Sequence, residues 1–164
     1  MSPTLILYAS ICMLTVGLSS LAWIDWKTGY LPDSIQLALG IGALTIISLG
    51  SPIGIEWNDA FIAATINGFT FWLLRFVTSK IKEREAMGLG DVKLVFIGGL
   101  WVGPWALPYI MLLAGTSTLI TLGILAVIRK KPTWHGEIPL GPGLSIGIYL
   151  SYIGILLGYI NIPF

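Results

Sequence analysis

The sequence is poor in charge. Of 164 residues only 10% are Asp, Glu, Lys or Arg, where soluble domains carry about 25%. It has one cysteine, Cys12, and one histidine, His135. A lone cysteine excludes a disulfide framework and a cysteine-based zinc site; inside an apolar run it reads as a small packing residue. A lone histidine in a loop is expected to have no catalytic role. The net charge of +1 and the lack of a basic cluster with interleaved aromatics give no reason to expect nucleic acid as a partner. No internal repeat or low-complexity segment is visible.

Apolar length is abundant. Mean hydropathy is +0.88, and the runs Met1–Ile24, Ser34–Ile55, Ala60–Leu74, Leu94–Ile128 and Ile138–Phe164 contain no charged residue. A bilayer core of roughly 30 Å takes about 20 apolar residues per helix. Runs this long are helices, because lipid leaves no backbone group unpaired and barrel strands are shorter. The first run has no basic residue ahead of it and exceeds the 7–15 residues of a signal core, so it reads as a retained span.

The fold expected is all-α, a single polytopic domain over 1–164 with about six transmembrane helices, near 3–24, 34–50, 57–78, 91–104, 108–128 and 141–160. The run Leu94–Ile128 decides between five spans and six. It is interrupted at Gly103-Pro104-Trp105-Ala106-Leu107-Pro108, and prolines with a glycine break helices. Cutting there leaves a fourth helix of about fourteen residues, too short for the core unless the bilayer thins or the turn is buried among neighbours. With six spans, Lys27, Arg75, Lys80, Lys82, Arg84, Lys93, Arg129, Lys130 and Lys131 all fall on one face, and Glu56 and Asp59 on the other. Five spans would carry Arg129–Lys131 across the membrane. The positive-inside rule therefore selects six, with both termini outside and three basic cytoplasmic loops. Arg75 is expected to snorkel from the inner end of the third helix.

Most acids have ordinary roles open to them. Glu56 and Asp59 suit a helix N-terminus, Asp33 suits an N-cap after Pro32, and Glu83 and Glu85 alternate with Lys82 and Arg84 as a solvated charge run. Two aspartates stand apart. Asp25 follows an apolar span where a Lys or Arg would be the safer exit residue. Asp91 follows Gly88-Leu89-Gly90; it too could be an N-cap, but two glycines also let backbone come close to an acid. Six-span parity sets both at one membrane level.

These strings resemble a known family. Met87-Gly88-Leu89-Gly90-Asp91-Val92-Lys93-Leu94 is similar to the Gly-x-Gly-Asp-x-Lys motif of the type IV prepilin leader peptidases. Asp25-Trp26-Lys27-Thr28-Gly29-Tyr30-Leu31-Pro32-Asp33 resembles their first motif, and Ile138-Pro139-Leu140-Gly141-Pro142 their Pro-Phe-Gly-Pro segment. The order is right and the set spans nearly the whole chain. The resemblance implies an aspartyl endopeptidase with Asp25 and Asp91 as the catalytic pair. Its substrates would be prepilins or pseudopilins, cut between a basic leader and an apolar helix at the cytoplasmic face of the inner membrane. Gly88, Gly90, Lys93, Pro32, Asp33, Gly141 and Pro142 would shape the site. No metal or other cofactor is implied. Longer members add a domain with paired Cys-x-x-Cys motifs that methylates the new N-terminus; with one cysteine, methylation is not expected of this chain. Three rivals make different predictions. A presenilin-like protease also uses Gly-x-Gly-Asp but sets both acids within spans, a proton-coupled transporter wants acids at mid-membrane, and a scaffold would tolerate loss of either aspartate. Lipids surround the chain in every case, and oligomeric state is not legible, since small residues such as Gly40, Gly42 and Ala43 suit packing within or between chains.

Overall fold

The computed structural model describes residues 2–82, 87–129 and 140–160. Glu83, Arg84, Glu85, Lys130, Lys131, His135, Ile138 and Pro139 lie outside the described residues. Within them the chain forms six α-helices: α1 Pro3–Thr28, α2 Asp33–Gly50, α3 Trp57–Lys82, α4 Leu89–Val102, α5 Leu107–Arg129 and α6 Gly141–Leu156. There is no strand among the described residues. Three of these helices, α1, α2 and α3, are long and apolar enough to cross a membrane, as is Pro104–Gly123 at the start of α5; α6 is apolar but shorter. The chain is a polytopic all-α membrane protein. Its outward side chains match that solvent: Leu37, Ile41, Phe69, Leu112, Leu119 and many others are exposed and apolar.

Helix ends differ from those expected: α3 continues to Lys82 and α6 stops at Leu156, and the ends of α1 and α4 move residues of interest. Charge at Asp25 and Lys27 does not stop α1, which continues to Thr28 and ends where Gly29 turns left-handed at φ 66°, its N–H bonding the Asp25 backbone carbonyl at 2.8 Å. Asp25 is thus in the last turn of the helix rather than beyond it. Likewise α4 begins at Leu89, with Gly88 as N-cap, so Asp91 is its third residue and not its cap. Asp33 is no cap either. Pro32 holds that position, and Asp33 is the first residue of α2.

The short α4 occupies the centre of the bundle, packed on α2, α3 and α6. Its fourteen residues span about 21 Å at 1.5 Å per residue, less than a bilayer core. The structure answers the length problem by burying the turn: Gly103, at φ 78°, and Ala106 are both buried, and the short 3-10 turn Pro104–Ala106 packs against α3. Close approach comes from small residues, as in other membrane bundles. A Cβ on Gly99 would stand 2.7–2.8 Å from the Ala63–Ala64 backbone, and one on Gly147 would stand 2.7 Å from the Ile110 carbonyl.

Cross-helix contacts define the two ends. Gly141 meets Asp25, Tyr149 meets Thr15 and Tyr152 meets Ser10, so α6 runs antiparallel to α1. Gly68 faces Phe96 while Gly99 faces Ala63, so α3 and α4 are also antiparallel. Gly143 meets Thr118 and Gly147 meets Ile110, so the Arg129 end of α5 lies beside the start of α6. Lys27, Arg75, Lys80, Lys93 and Arg129 therefore gather at one end of the bundle and Glu56 and Asp59 at the other. At the basic end Lys27 stands over the Trp23 ring at 4.4 Å and Lys80 over Phe76 at 4.8 Å, the amphipathic pairing suited to a membrane interface. Cys12 is exposed on α1, so it faces the surroundings of the bundle rather than packing inside it.

Among the described buried side chains with an unsatisfied polar atom, Asn67 has the most to lose: Ser145 and Ser151 each leave one hydroxyl without a partner, Asn67 both ends of its amide. Asn67 is 0% exposed, and neither its amide nitrogen nor its oxygen bonds a described residue. A buried unsatisfied amide costs about 1–3 kcal/mol. The near-isosteric Asn67→Leu is expected to raise the thermal midpoint in detergent. A lower midpoint would show that the amide is satisfied after all.

Candidate active site

Three helix ends converge at the basic end of the bundle. The last turn of α1 carries Asp25, the first turn of α4 carries Asp91, and the first residue of α6 is Gly141. Both aspartates are buried, at 6% and 8% exposure. They are near enough for their charges to act on each other. An acid at a helix C-terminus is disfavoured by the helix dipole, and α6 supplies the remedy. The Gly141 N–H, at the N-terminus of α6, donates to Asp25 Oδ2 at 3.0 Å. The Asp91 carboxylate lies in the first turn of its own helix and interacts with the Gly88 N–H. Each carboxylate is thus served by a helix N-terminus. The helix dipole therefore does not separate the two acids.

The glycines of the motifs have different tasks. Gly88 is extended at φ −65°, which any residue adopts, and a Cβ there would sit 3.5 Å from Asp91 Oδ2. Gly90 makes room for another segment: its Cβ would come within 3.0 Å of the Leu31 side chain, which is buried in the α1–α2 connection. Leu31 is held extended by the proline after it, so Pro32 fixes the wall against which α4 starts. Gly141 is the most constrained. Its Cβ would stand 2.6 Å from Asp25 Oδ2 and 2.8 Å from Cγ. Pro142 follows in the first turn of α6, where a missing N–H leaves no helical bond unmade.

Lys93 and Asp33 join α4 to α2 by an ion pair of 2.8 Å, with side chains 51% and 63% exposed. Exposed pairs are worth about 0–1 kcal/mol, so the pair orients two helix starts more than it stabilises them. Arg75 does not simply reach toward water. Half-buried, its Nε donates to the Met87 carbonyl at 2.8 Å. Sequence reasoning missed this contact and the Gly141–Asp25 bond, whose partners are separated by 12 and 116 positions. The signal available for Arg75 was its depth, about two turns inside the end of an apolar helix that also carries Lys80 and Lys82. Among the described residues no three His, Cys, Asp or Glu side chains gather as a set of metal ligands.

The sequence pattern described as the type IV leader peptidase family matches residues 5–128, a stretch that holds both aspartates. The chain belongs to that family. Among relatives in it, a prepilin leader peptidase/N-methyltransferase of Pectobacterium carotovorum subsp. carotovorum is 34% identical over 145 residues, covering 88% of this chain and 50% of the relative. A type 4 prepilin-like proteins leader peptide-processing enzyme of Escherichia coli O78:H11 (strain H10407 / ETEC) is 33% identical over 147 residues, covering 87% and 52%. A prepilin leader peptidase/N-methyltransferase of Aeromonas salmonicida is 33% identical over 143 residues, covering 86% and 47%. The chain spans about half the length of these curated relatives. No solved structure matches it.

Proposed function

We propose that this chain is an aspartyl endopeptidase that removes the basic leader from type IV prepilins or pseudopilins, with Asp25 and Asp91 as its acid–base pair. The observation that carries the reading is the pair itself: two buried, electrostatically coupled carboxylates in a chain of the leader peptidase family. Two carboxylates at close range share a proton, because both cannot ionise cheaply. The ionised member takes a proton from water as the oxygen attacks the scissile carbonyl. The protonated member gives its proton to the carbonyl oxygen. On collapse of the tetrahedral species the acid that took water's proton passes it to the leaving amine, and the other takes a proton back from a gem-diol hydroxyl, which restores the pair. The Gly141 N–H holds the Asp25 carboxylate in a fixed orientation through these steps.

The basic end of the bundle is the cytoplasmic end under the positive-inside rule, and the inner membrane is the corresponding location. A prepilin's apolar helix can then lie in lipid beside the bundle while its leader remains in the cytoplasm, which brings the bond to the level of Asp25 and Asp91. A transporter reading is less well supported, since these acids lie in terminal helical turns rather than at mid-helix.

Co-expression with candidate prepilins, followed by mass and N-terminal analysis, tests the reading. The expected product begins at the first residue of the apolar helix, with the leader released intact. A panel of prepilins and pseudopilins left uncut by well-expressed, folded chain would overturn it.

A further inference from the structure

Arg75 bonds one side of a peptide unit whose other side lies beside Asp91. The carbonyl of Met87 accepts the Arg75 Nε–H at 2.8 Å. The other side of the same planar amide is the N–H of Gly88, where a Cβ would stand 3.5 Å from Asp91 Oδ2, so this amide lies beside the Asp91 carboxylate. In a trans peptide the C=O and N–H point in opposite directions, so a donor fixed on the carbonyl also fixes the aim of the N–H. A cation on the carbonyl polarises the amide and strengthens its N–H as a donor. Arg75 comes from α3 and Asp91 from α4, so the amide bridges two helices across the connection between them.

We propose that Arg75 is a positioning residue for Asp91, acting through the Met87–Gly88 peptide. The inference rests on the reading of Asp91 as catalytic and adds to it a cation that never touches the substrate. Gly88 has the φ that proline imposes, −65°, so Gly88→Pro removes the N–H while keeping the backbone angle. Gly88→Ala keeps the N–H and serves as its control.

The test is steady-state cleavage of a prepilin by the purified full chain in nanodiscs. Arg75→Ala is expected to lower kcat about tenfold, the loss of one charge-assisted bond, with KM changed less than about twofold. Arg75→Lys should recover part of that loss. In the Gly88→Pro background, adding Arg75→Ala should cost less than about twofold, because contacts in series are not additive. Should Arg75→Ala not fold, Arg75→Gln, which keeps a donor and loses the charge, is measured in its place. Unchanged kcat, a change confined to KM, or full additivity with Gly88→Pro would each overturn the proposal. Asp91→Asn is run in parallel. If it cleaves, the catalytic reading of Asp91 has failed; if it is inactive while Arg75→Ala is fully active, only the positioning role has failed.

Discussion

Asp25→Asn and Asp91→Asn should each reach the membrane at wild-type levels and leave a prepilin uncut, with rate losses on the order of 10⁴. Asn matches Asp in volume, so the packing of α1, α4 and α6 has no steric reason to change. At position 25 the amide oxygen can still accept the Gly141 N–H. At position 91 the helix N-terminus loses a favourable charge, which costs roughly 0.3–1 kcal/mol, too little to unfold the bundle. What each variant removes is the ability to trade a proton. Since the two acids act as one unit, the double variant should be no slower than either single one. The measurement is cleavage against time, normalised to protein extracted from the membrane. Near-wild-type cleavage by either single variant would remove the two-aspartate mechanism.

Gly141→Ala should lower kcat about a hundredfold with only moderate loss of stability. The added methyl would stand 2.6 Å from Asp25 Oδ2 and 3.0 Å from its Cβ, so the carboxylate or the first turn of α6 must shift. Over-packing of this kind typically costs about 1–3 kcal/mol. Displacement of a reacting group by about 1 Å can cost on the order of 10² in rate. Gly115→Ala on α5 is the matched control, because nothing lies within 4 Å of a Cβ there; it should be fully active. The two variants are compared by kcat and by thermal midpoint. Equal kcat for both would mean that Gly141 does not set the position of Asp25.

Much of the site was open to sequence reasoning because its parts are local. Asp91 sits beside glycines within four residues, and Asp25 breaks the pattern of an apolar run. What could not be read was which backbone group answers each acid. Helix-capping logic offered N-cap roles to Asp33 and Asp91, yet Pro32 and Gly88 hold those positions. Capping preferences describe an isolated helix end, whereas here Lys93 reaches Asp33 from another helix and Asp25 shares the interior with Asp91. Gly141 was expected only to shape the site; its contact with Asp25 exists because two helices, with partners 116 positions apart, meet end to end.

By itself the sequence determined the solvent and the secondary structure. Long uncharged runs must be helices in lipid, and a one-sided distribution of Lys and Arg orders them into a bundle with a basic end. Both follow from the energy of placing single residues or single peptide groups in hydrocarbon, which needs no knowledge of neighbours. Only the tertiary structure decided how a fourteen-residue α4 is accommodated, by burying the turn at Gly103–Ala106 inside the bundle. It alone brought the N-terminus of α6 onto Asp25 and Arg75 onto the Met87 carbonyl. Those contacts depend on which helices are neighbours, and that is set by the close approach of small residues such as Gly99 and Gly147 rather than by any local pattern.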